Sequence, residues 1–320
     1  MRVVFFGTPE FSADVLNYLL LHQVQVVAVI SKPDRPKGRS GVPMATPVKL
    51  VAQQAGLPLY QPELVSDPSL ADTLKAYEAD LFVVVAYGEI IKQHLLDMPH
   101  KACLNLHTSL LPKYRGAAPI QRAIIYGEKE SGVTIMHMVK KMDAGDIIYQ
   151  VKVPIASEMT FGELEEKLCK EGKKALLQVI HQFANTGNLP QTPQDITQVT
   201  LAPKIELEDC QISWSLPAQQ IHDLVRGVNP YPGAWCWVRV KAEVKRLKIS
   251  RTRVLDLAGS PGAILNKQTT KGNLIVATGD KALELLEVQL EGKKKMSSEE
   301  LMRGLSRDEF FFEESLRSIH

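Results

Sequence analysis

An asparagine and a histidine stand two residues apart at the end of one apolar run, Leu104-Asn105-Leu106-His107. Residues two apart on a strand point to the same face, so Asn105 and His107 share a face while the leucines occupy the other. Pro112 follows shortly after, and proline cannot continue a central strand. In an open α/β sheet the ligand crevice lies outside the carboxyl ends of the strands. The pair therefore lies where a binding site is expected.

An acidic turn supplies a third chemical group. Met142-Asp143-Ala144-Gly145-Asp146 follows the apolar run Val133–Val139. If that run is the next strand, Asp143 emerges near the same edge as His107. The three side chains would then provide an amide donor for a developing oxyanion, an imidazole that moves protons, and a carboxylate that orients the imidazole. Each residue alone has a structural explanation, such as a turn or a hydrogen-bonded strand end, and their combination favours a site.

An α/β unit must position these groups. Arg2–Phe6 and Val24–Ser31 are short apolar runs on either side of a helical pattern over Phe11–His22, which predicts the opening of a βαβ unit. Leu81–Ala86 is almost purely apolar, as a buried parallel strand is. The first turn, Gly7-Thr8-Pro9, is not the G-x-G-x-x-G of a dinucleotide site. Further helices are predicted over residues 46–56, 67–77, 117–126 and 160–184, the last from a capping-box pattern.

A polar segment divides the chain. Residues 190–206 are rich in Pro, Gln and Thr, and we predict a linker there between a first domain, 1–189, and a second, 207–320. Short strand-like runs with Gly-rich turns predict that the second domain is a small OB-like β-barrel. The expected fold class is thus a Rossmann-like parallel-sheet α/β domain followed by a smaller barrel. The charged tail, 306–320, is expected to be a peripheral helix or a frayed end.

Composition limits the class of protein. The chain has 320 residues, of which 45% are hydrophobic, and a net charge of +2, so a nucleic-acid surface must come from local clustering. Residues 238–295 contain thirteen Lys or Arg against six Asp or Glu, which concentrates positive charge in the second domain. The four cysteines form no C-x-x-C pair, which favours a reduced cytoplasmic protein without a metal. No apolar run approaches the ~18 residues of a membrane span, so we expect no membrane partner. We also expect a monomer.

These motifs resemble those of the formyltransferases that use 10-formyltetrahydrofolate. The resemblance covers nearly the whole chain, and its motifs are specific together although weak singly. Two further tracts, Lys32–Arg39 and Arg226–Gly233, resemble in particular the family members that act on methionyl-tRNA. The other segments that carry the resemblance are Gly7-Thr-Pro-Glu-Phe11, Asn105-Leu-His107, Ser109-Leu-Leu-Pro112, Tyr114-Arg-Gly116 and Asp143-Ala-Gly-Asp146.

The resemblance implies a reaction and a set of site residues. The reaction is transfer of a formyl group from 10-formyltetrahydrofolate to the α-amine of methionine on initiator Met-tRNA, for translation initiation. Asn105, His107 and Asp143 would be the catalytic residues. The folate would bind at positions that follow the strands of the first domain. These positions are Tyr87, Gly88, Ile90, Ser109, Leu110, Leu111, Pro112 and Val139.

A basic loop is the first candidate surface for tRNA. The segment Ser31–Pro47 holds four prolines and is predicted to be a loop. In the resembling family this loop grips the acceptor stem, and Lys and Arg would do so by neutralising phosphates. The expected tRNA-binding residues are Arg35, Lys37 and Arg39 in this loop and Lys245 and Arg246 in the basic second domain.

Other functions remain open on the sequence. The nearest alternative is an N-formyltransferase that acts on a nucleotide-linked amino sugar, since it would use the same three side-chain types. It predicts indifference to tRNA, whereas the basic loop and basic second domain favour a polyanionic acceptor. A tRNA-binding protein without catalysis belongs to another class and predicts that His107→Ala leaves function intact. Formylation of glycinamide would leave the second domain without a role.

Overall fold

The computed structural model describes residues 1–36, 41–266, 272–303, 305 and 309–313. The described chain divides into two compact units, each assembled from separated segments. The first unit comprises residues 1–119, 130–154 and 165–203, and the second comprises the remainder. The chain therefore enters the second unit twice before residue 204. The boundaries predicted after residues 189 and 206 follow a sequential division, and they stay predictions.

Strands and helices alternate in the first half of the chain, and strands dominate the second half. The strands of the described residues are β1 (Arg2–Gly7), β2 (Gln25–Ile30), β3 (Arg35–Pro36), β4 (Pro43–Met44), β5 (Leu59–Tyr60), β6 (Leu81–Val85), β7 (Ala102–His107), β8 (Glu130–His137), β9 (Ile147–Pro154), β10 (Ala234–Val240), β11 (Glu243–Leu255), β12 (Ile275–Ala277), β13 (Ala282–Leu290), β14 (Met296–Ser297) and β15 (Phe310–Glu313). The α-helices are α1 (Glu10–Leu21), α2 (Pro47–Gln54), α3 (Pro68–Lys75), α4 (Gln93–Leu96), α5 (Pro119–Ile125), α6 (Phe161–Thr186), α7 (Ala218–Gly227) and α8 (Ser298–Met302). Short 3₁₀ turns span Ile196–Gln198 and Glu208–Cys210.

A sheet of seven described strands forms the centre of the first unit. Its order is β5-β2-β1-β6-β7-β8-β9. The strands from β5 to β7 are parallel, whereas β8 is antiparallel to β7 and β9 is antiparallel to β8. β6 is buried along its whole length, as a strand covered on both faces requires. The predicted Rossmann-like parallel sheet is confirmed, with two antiparallel strands added at one edge.

The direction of β8 changes the route by which Asp143 reaches the site. His107 pairs with Thr134, and Leu104 pairs with His137, so β8 runs away from the carboxyl end of β7. The loop after β8 then folds back, because Asp143 nevertheless lies beside His107. Asp143 therefore reaches His107 as expected, but through a returning loop. The expectation that it emerges directly from the end of a strand beside His107 is wrong.

Short-range hydrogen bonds begin the helices where the sequence predicts. The hydroxyl of Thr46 accepts from the amide of Lys49 over 3.2 Å at the start of α2, and Asp67 caps α3 in the same way. At α6, the amide of Glu163 donates to the Thr160 hydroxyl over 3.3 Å, and the amide of Thr160 donates to the Glu163 carboxylate over 2.8 Å. The predicted capping box is therefore confirmed.

The second unit is built on an antiparallel sheet that curls as a half-barrel. The described strands follow the order β12-β13-β11-β10-β15, and β14 pairs with β13. The register of β11 shifts between Ile249 and Thr252, and such bulges bend a strand. The buried core beneath includes Trp214 and Phe310. The prediction of a smaller β domain after the α/β domain is confirmed.

Two segments are more ordered than the sequence indicates. In the tail, Phe310–Glu313 forms β15 and pairs with β10, which corrects the expected helix or frayed end for those residues. Residues 306–308 and 314–320 lie outside the described part of the chain. In the predicted linker, Thr192 bridges to Ile147 and Leu201 bridges to Arg115, so residues 190–203 belong to the first unit.

A buried ion pair holds α7 in the second unit. Arg226 Nε lies 2.7 Å from Asp223 Oδ1, and Arg226 Nη1 donates to the Met159 carbonyl over 3.1 Å. Next to this pair, Gly227 packs so closely that a Cβ would lie 2.6 Å from Cγ1 of Ile125. The start of the Arg226–Gly233 tract thus serves the packing of this unit.

Candidate active site

β7 places Asn105 and His107 together, and the carbonyl of Tyr114 fixes the tautomer of the histidine. Nε2 of His107 lies 3.0 Å from the Tyr114 carbonyl oxygen, deep in the first unit. A carbonyl only accepts hydrogen bonds, so Nε2 carries the proton and donates it, and Nδ1 is the acceptor of the neutral ring. The half-buried Asn105 makes no side-chain hydrogen bond within the described residues. Its amide is therefore available to a substrate.

Asp143 faces the other nitrogen of the ring. Its Oδ1 lies 3.8 Å from Nδ1 of His107, beyond direct hydrogen-bond range but near enough to stabilise a positive charge on the ring when the ring is protonated. Its Oδ2 accepts from the amide of Gly116 over 2.9 Å. The backbone of Asp143 has a φ of +52°, which a residue with a side chain adopts only where its surroundings hold it.

The segment from Tyr114 to Gly116 is held by residues of the predicted linker, 190–206. The amide of Tyr114 donates to the Thr200 hydroxyl and that of Arg115 donates to the Thr200 carbonyl, each over 2.9 Å. Gly116 has a φ of +130°, and a Cβ there would lie 2.5 Å from the carbonyl oxygen of Ala202. Only glycine fits this position without movement of the backbone.

The loop of Ser109 to Pro112 is held by a hydrogen bond to Lys113 and by side chains of β8 and β9. The Ser109 hydroxyl donates to the Lys113 carbonyl over 2.7 Å, and the Gln150 amide donates to the Leu111 carbonyl over 2.9 Å. Ser109 and Leu111 are buried, whereas Leu110 and Pro112 are half-buried. Of these four predicted folate contacts, Leu110 and Pro112 thus retain accessible side-chain surface.

The ring of Tyr87 is unavailable as a binding surface. It is 2% exposed and packs edge-on against Phe6 with ring centroids 5.8 Å apart. Its hydroxyl has no hydrogen-bond partner among the described residues, and burial raises the pKa of that hydroxyl far above its ordinary value. Its carbonyl accepts from the Thr8 hydroxyl over 2.8 Å. A folate contact at Tyr87 would thus involve backbone rather than the ring.

Three other predicted folate positions are open. Gly88 has a φ of +89°, and apart from its chain neighbours no described residue lies within 4 Å of the place where a Cβ would stand. Ile90 is 70% exposed and Val139 is 44% exposed, while their neighbours Ile91 and Met138 pack on one hydrophobic cluster. Open backbone beside exposed apolar side chains suits a flat, partly apolar ligand. These three residues therefore stay candidates for binding a ligand of that kind.

The described candidates for tRNA contact already have partners within the protein. Arg35 Nη2 lies 2.5 Å from Glu63 Oε2 at an exposed position. Lys245 Nζ lies 2.5 Å from Glu243 Oε2. The guanidinium of Arg246 lies over the rings of Trp235 and Trp237, at 4.4 and 5.3 Å from their centroids. Lys37 and Arg39 lie outside the described residues.

Sequence reasoning missed the polar residues that hold the site loops. The Thr134 hydroxyl donates to the Ser109 carbonyl over 2.6 Å, and Gln150 bonds the same loop. Thr200 bonds the segment from Tyr114 to Gly116, and Gln194 bonds the Asp143 loop. Their partners lie far away in the sequence, so neither spacing nor periodicity indicates them. Within the described ranges, no group of three or more His, Cys, Asp or Glu could hold a metal ion. No described helix has both the length and the apolar character to cross a membrane.

Two family profiles and full-length relatives match this chain. The profile of the formyl transferase family matches residues 1–180, and that of the formyl transferase C-terminal domain matches residues 204–306. Methionyl-tRNA formyltransferase of Protochlamydia amoebophila is 67% identical over 313 residues, which cover 98% of each chain. Methionyl-tRNA formyltransferase of Chlamydia pneumoniae is 42% identical over 308 residues, which cover 95% of each chain.

Solved structures share the fold at lower identity. The N-formyltransferase of Helicobacter canadensis, in complex with folinic acid and dTDP-3-aminofucose, is 19% identical with a TM-score of 0.65 over 89% of this chain and 99% of that one. HypX of Aquifex aeolicus, in complex with tetrahydrofolic acid, is 19% identical with a TM-score of 0.63 over 95% of this chain and 47% of that one. The two family profiles and the full-length relatives lead to one conclusion. The chain belongs to the methionyl-tRNA formyltransferase family.

Proposed function

We propose that this chain transfers a formyl group from 10-formyltetrahydrofolate to the α-amine of methionine on initiator Met-tRNA, for translation initiation. The observation that carries the proposal is the setting of His107, with its Nε2 on the Tyr114 carbonyl and its Nδ1 beside Asp143. Asn105 precedes it by two residues on the same strand, with its amide available. The names and full-length identities of the relatives support the choice of acceptor.

Each of the three side chains has a defined task in this reaction. The folate donor supplies the formyl carbon and N10, the nitrogen that leaves. Asn105 donates an N–H to the formyl oxygen, where negative charge develops as the amine bonds to carbon; such a donor typically contributes ~10²–10³ in rate. His107 accepts a proton at Nδ1 from the attacking amine and delivers it to N10 as the bond from carbon to N10 breaks. Asp143 stabilises the imidazolium while it exists.

Two sets of residues would bind the substrates. Gly88, Ile90 and Val139 would hold the pteridine ring, since they provide open backbone and exposed apolar surface. The basic loop with Arg35 and the basic face with Lys245 and Arg246 would bind tRNA phosphates. A cytoplasmic location and a monomeric state stay predictions.

The alternative acceptor is a nucleotide-linked amino sugar. The solved sugar N-formyltransferases share the fold, but at 19% identity their likeness supports the fold alone. The full-length relatives at 67% and 42% identity favour the tRNA acceptor.

Single-turnover transfer tests the proposal. Labelled formyl would be followed from 10-formyltetrahydrofolate to Met-tRNA with the native protein, His107→Ala and, as a control, the exposed His94→Ala. We expect rapid transfer by the native protein and the control, and a loss of at least ~10² in rate with His107→Ala. If the native protein binds folate but transfers nothing to Met-tRNA, the tRNA acceptor is wrong, and a nucleotide-sugar amine is tested next.

A further inference from the structure

Gln194 joins two loops of the candidate site through four hydrogen bonds. Its Oε1 accepts from Nε and Nη2 of Arg115 over 3.1 and 2.7 Å. Its Nε2 donates to the carbonyl oxygens of Asp143 and Gly145 over 2.9 and 2.8 Å. Gln194 is half-buried, while Pro193 and Asp195 on either side are exposed. All the hydrogen-bonding capacity of the amide is therefore used inside the protein.

Arg115 fixes the orientation of this amide. The Arg115 side chain is buried, and within the described residues its guanidinium meets Gln194 rather than a carboxylate. A guanidinium has only donors, so it faces the amide oxygen of Gln194, and the carbonyls of Asp143 and Gly145 face the amide nitrogen. Because an unpaired buried charge is costly, Arg115 holds Gln194 firmly in this one orientation.

Gln194 in turn fixes the backbone that carries the Asp143 carboxylate. Asp143 needs support to keep its φ of +52°, and Gln194 binds the carbonyl of that same residue. The next anchor, Gly145, lies so close to β8 that a Cβ would stand 1.8 Å from the His137 carbonyl oxygen. With both carbonyls held, the Asp143 carboxylate stays 3.8 Å from His107 Nδ1.

We propose that Gln194 is a positioning residue for the transfer reaction, with Arg115 as its anchor and Asp143 as the group through which it acts. The inference rests on the proposed function. It assigns a role in the site to a segment that lies between the two family-profile matches, since these cover residues 1–180 and 204–306.

Gln194→Glu keeps the hydrogen bonds to Arg115 and removes those to the Asp143 loop. A carboxylate accepts from Arg115 even more strongly, but it cannot donate to the carbonyls of Asp143 and Gly145. We expect kcat to fall ~10- to 100-fold, because small misplacements of a catalytic group have effects of this size, while KM for both substrates changes less than about twofold. Gln191→Glu is the matched control, since it makes the same charge change at an exposed position of the same segment and leaves kcat unchanged.

A double-mutant cycle distinguishes positioning from a general structural role. In an Asp143→Asn background, adding Gln194→Glu should lower kcat less than about threefold further, because the group it positions is already altered. Additive losses would overturn the proposal, as would a Gln194→Glu variant with native kcat. Gln194→Asn serves as a second variant if the first fails to fold, since it keeps the amide but is too short to span both loops.

Hydrogen exchange provides a readout independent of activity. The amide of Gly116 donates to Oδ2 of Asp143, so it reports on the Asp143 loop. We expect Gln194→Glu to speed exchange of this amide at least about tenfold and Gln191→Glu to leave it unchanged. A native protein that transfers no formyl group contradicts the proposed function, and the exchange of Gly116 then still decides whether Gln194 holds the loop. Unchanged exchange at Gly116 in Gln194→Glu overturns the positioning role.

Discussion

Nδ1 of His107 lies 3.8 Å from Oδ1 of Asp143, while Nε2 of the same ring donates to the Tyr114 carbonyl over 3.0 Å. Because that carbonyl keeps a proton on Nε2, Nδ1 is the nitrogen that would exchange a proton with the substrates in the proposed reaction. Asp143 is the charged group beside this atom, and the amide of Gly116 holds the second oxygen of its carboxylate. The ring and the carboxylate are thus already oriented in the free protein.

Removal of the amide of Asn105 should affect the reaction far more than the fold. We expect Asn105→Ala to lower kcat by ~10²–10³, because one donor to the developing charge is lost. Asn105 makes no side-chain hydrogen bond in the described part of the chain, so the melting temperature should change little. Steady-state kinetics and thermal unfolding test this, with the exposed Asn17→Ala as control. A loss of kcat below fivefold would contradict the assigned role.

A side chain at Gly116 should distort the site loop. Gly116→Ala combines a φ of +130° with a Cβ placed 2.5 Å from the Ala202 carbonyl oxygen, so backbone must move. Gly56→Ala is the matched control, since Gly56 has a φ of +65° but, apart from its chain neighbours, no described residue lies within 4 Å of where its Cβ would stand. We expect Gly56→Ala to lower the free energy of unfolding by about 1 kcal/mol and Gly116→Ala by clearly more. If urea unfolding gave equal losses of free energy for the two variants, the close approach to the Ala202 carbonyl would not contribute to the cost.

His137 should make the stability of the fold depend on pH. Burial lowers the pKa of His137, although the charge of Asp146 opposes this shift, and its Nε2 has no hydrogen-bond partner in the part of the chain that the structure describes. An unfolded histidine titrates near ~6.5 and binds its proton at higher pH than the folded one does. The contribution of neutral His137 to the free energy of unfolding is therefore complete above about pH 6.5. It is lost as pH drops from there through the pKa of the folded state.

Substitution of His137 should reduce the loss of stability at low pH. We expect His137→Leu to weaken the pH dependence of the free energy of unfolding below about pH 6.5, and the exposed His94→Leu to retain it. Urea unfolding at a series of pH values measures the difference. Identical pH dependence in both variants would show that His137 does not contribute.

The buried pair of Arg226 and Asp223 should be essential to the second unit. Arg226→Met leaves the carboxylate of Asp223 buried without its cation, which we expect to lower the free energy of unfolding by about 3–5 kcal/mol. Arg253→Met breaks the exposed pair with Glu284 and should cost less than about 1 kcal/mol. Denaturant unfolding of both variants tests this contrast, and similar small losses would refute it.

Arg35 should contribute to tRNA affinity through phosphate contact. We expect Arg35→Gln to weaken tRNA binding and to reduce the slope of log affinity against log salt by ~1. Lys75→Gln is the control, since it also removes an exposed, paired cation from the first unit. Binding titrations at several salt concentrations measure the slope. An unchanged slope with Arg35→Gln would remove this residue from the tRNA surface.

The sequence by itself determined the features that depend on near neighbours. Alternation along β7 put Asn105 and His107 on one face, and the pattern around Thr160 placed the start of α6. The apolar run at residues 81–86 identified a buried strand. Strand period and capping need only a few adjacent residues, so short stretches of sequence sufficed to predict the parallel sheet and the family. The identities of the three catalytic candidates came from the same local motifs.

Only the tertiary structure decided the features that join distant parts of the chain. β8 is antiparallel to β7, so Asp143 reaches His107 through a returning loop rather than directly from a strand end. Gln194 is 79 residues from Arg115 and 51 from Asp143, and its contacts leave no periodic trace in the sequence. Strand direction and the partners of buried polar groups depend on packing across the whole unit. For that reason the sequence did not reveal that Gln194 and Thr200, in a segment with the composition of a linker, bond the loops of the candidate site.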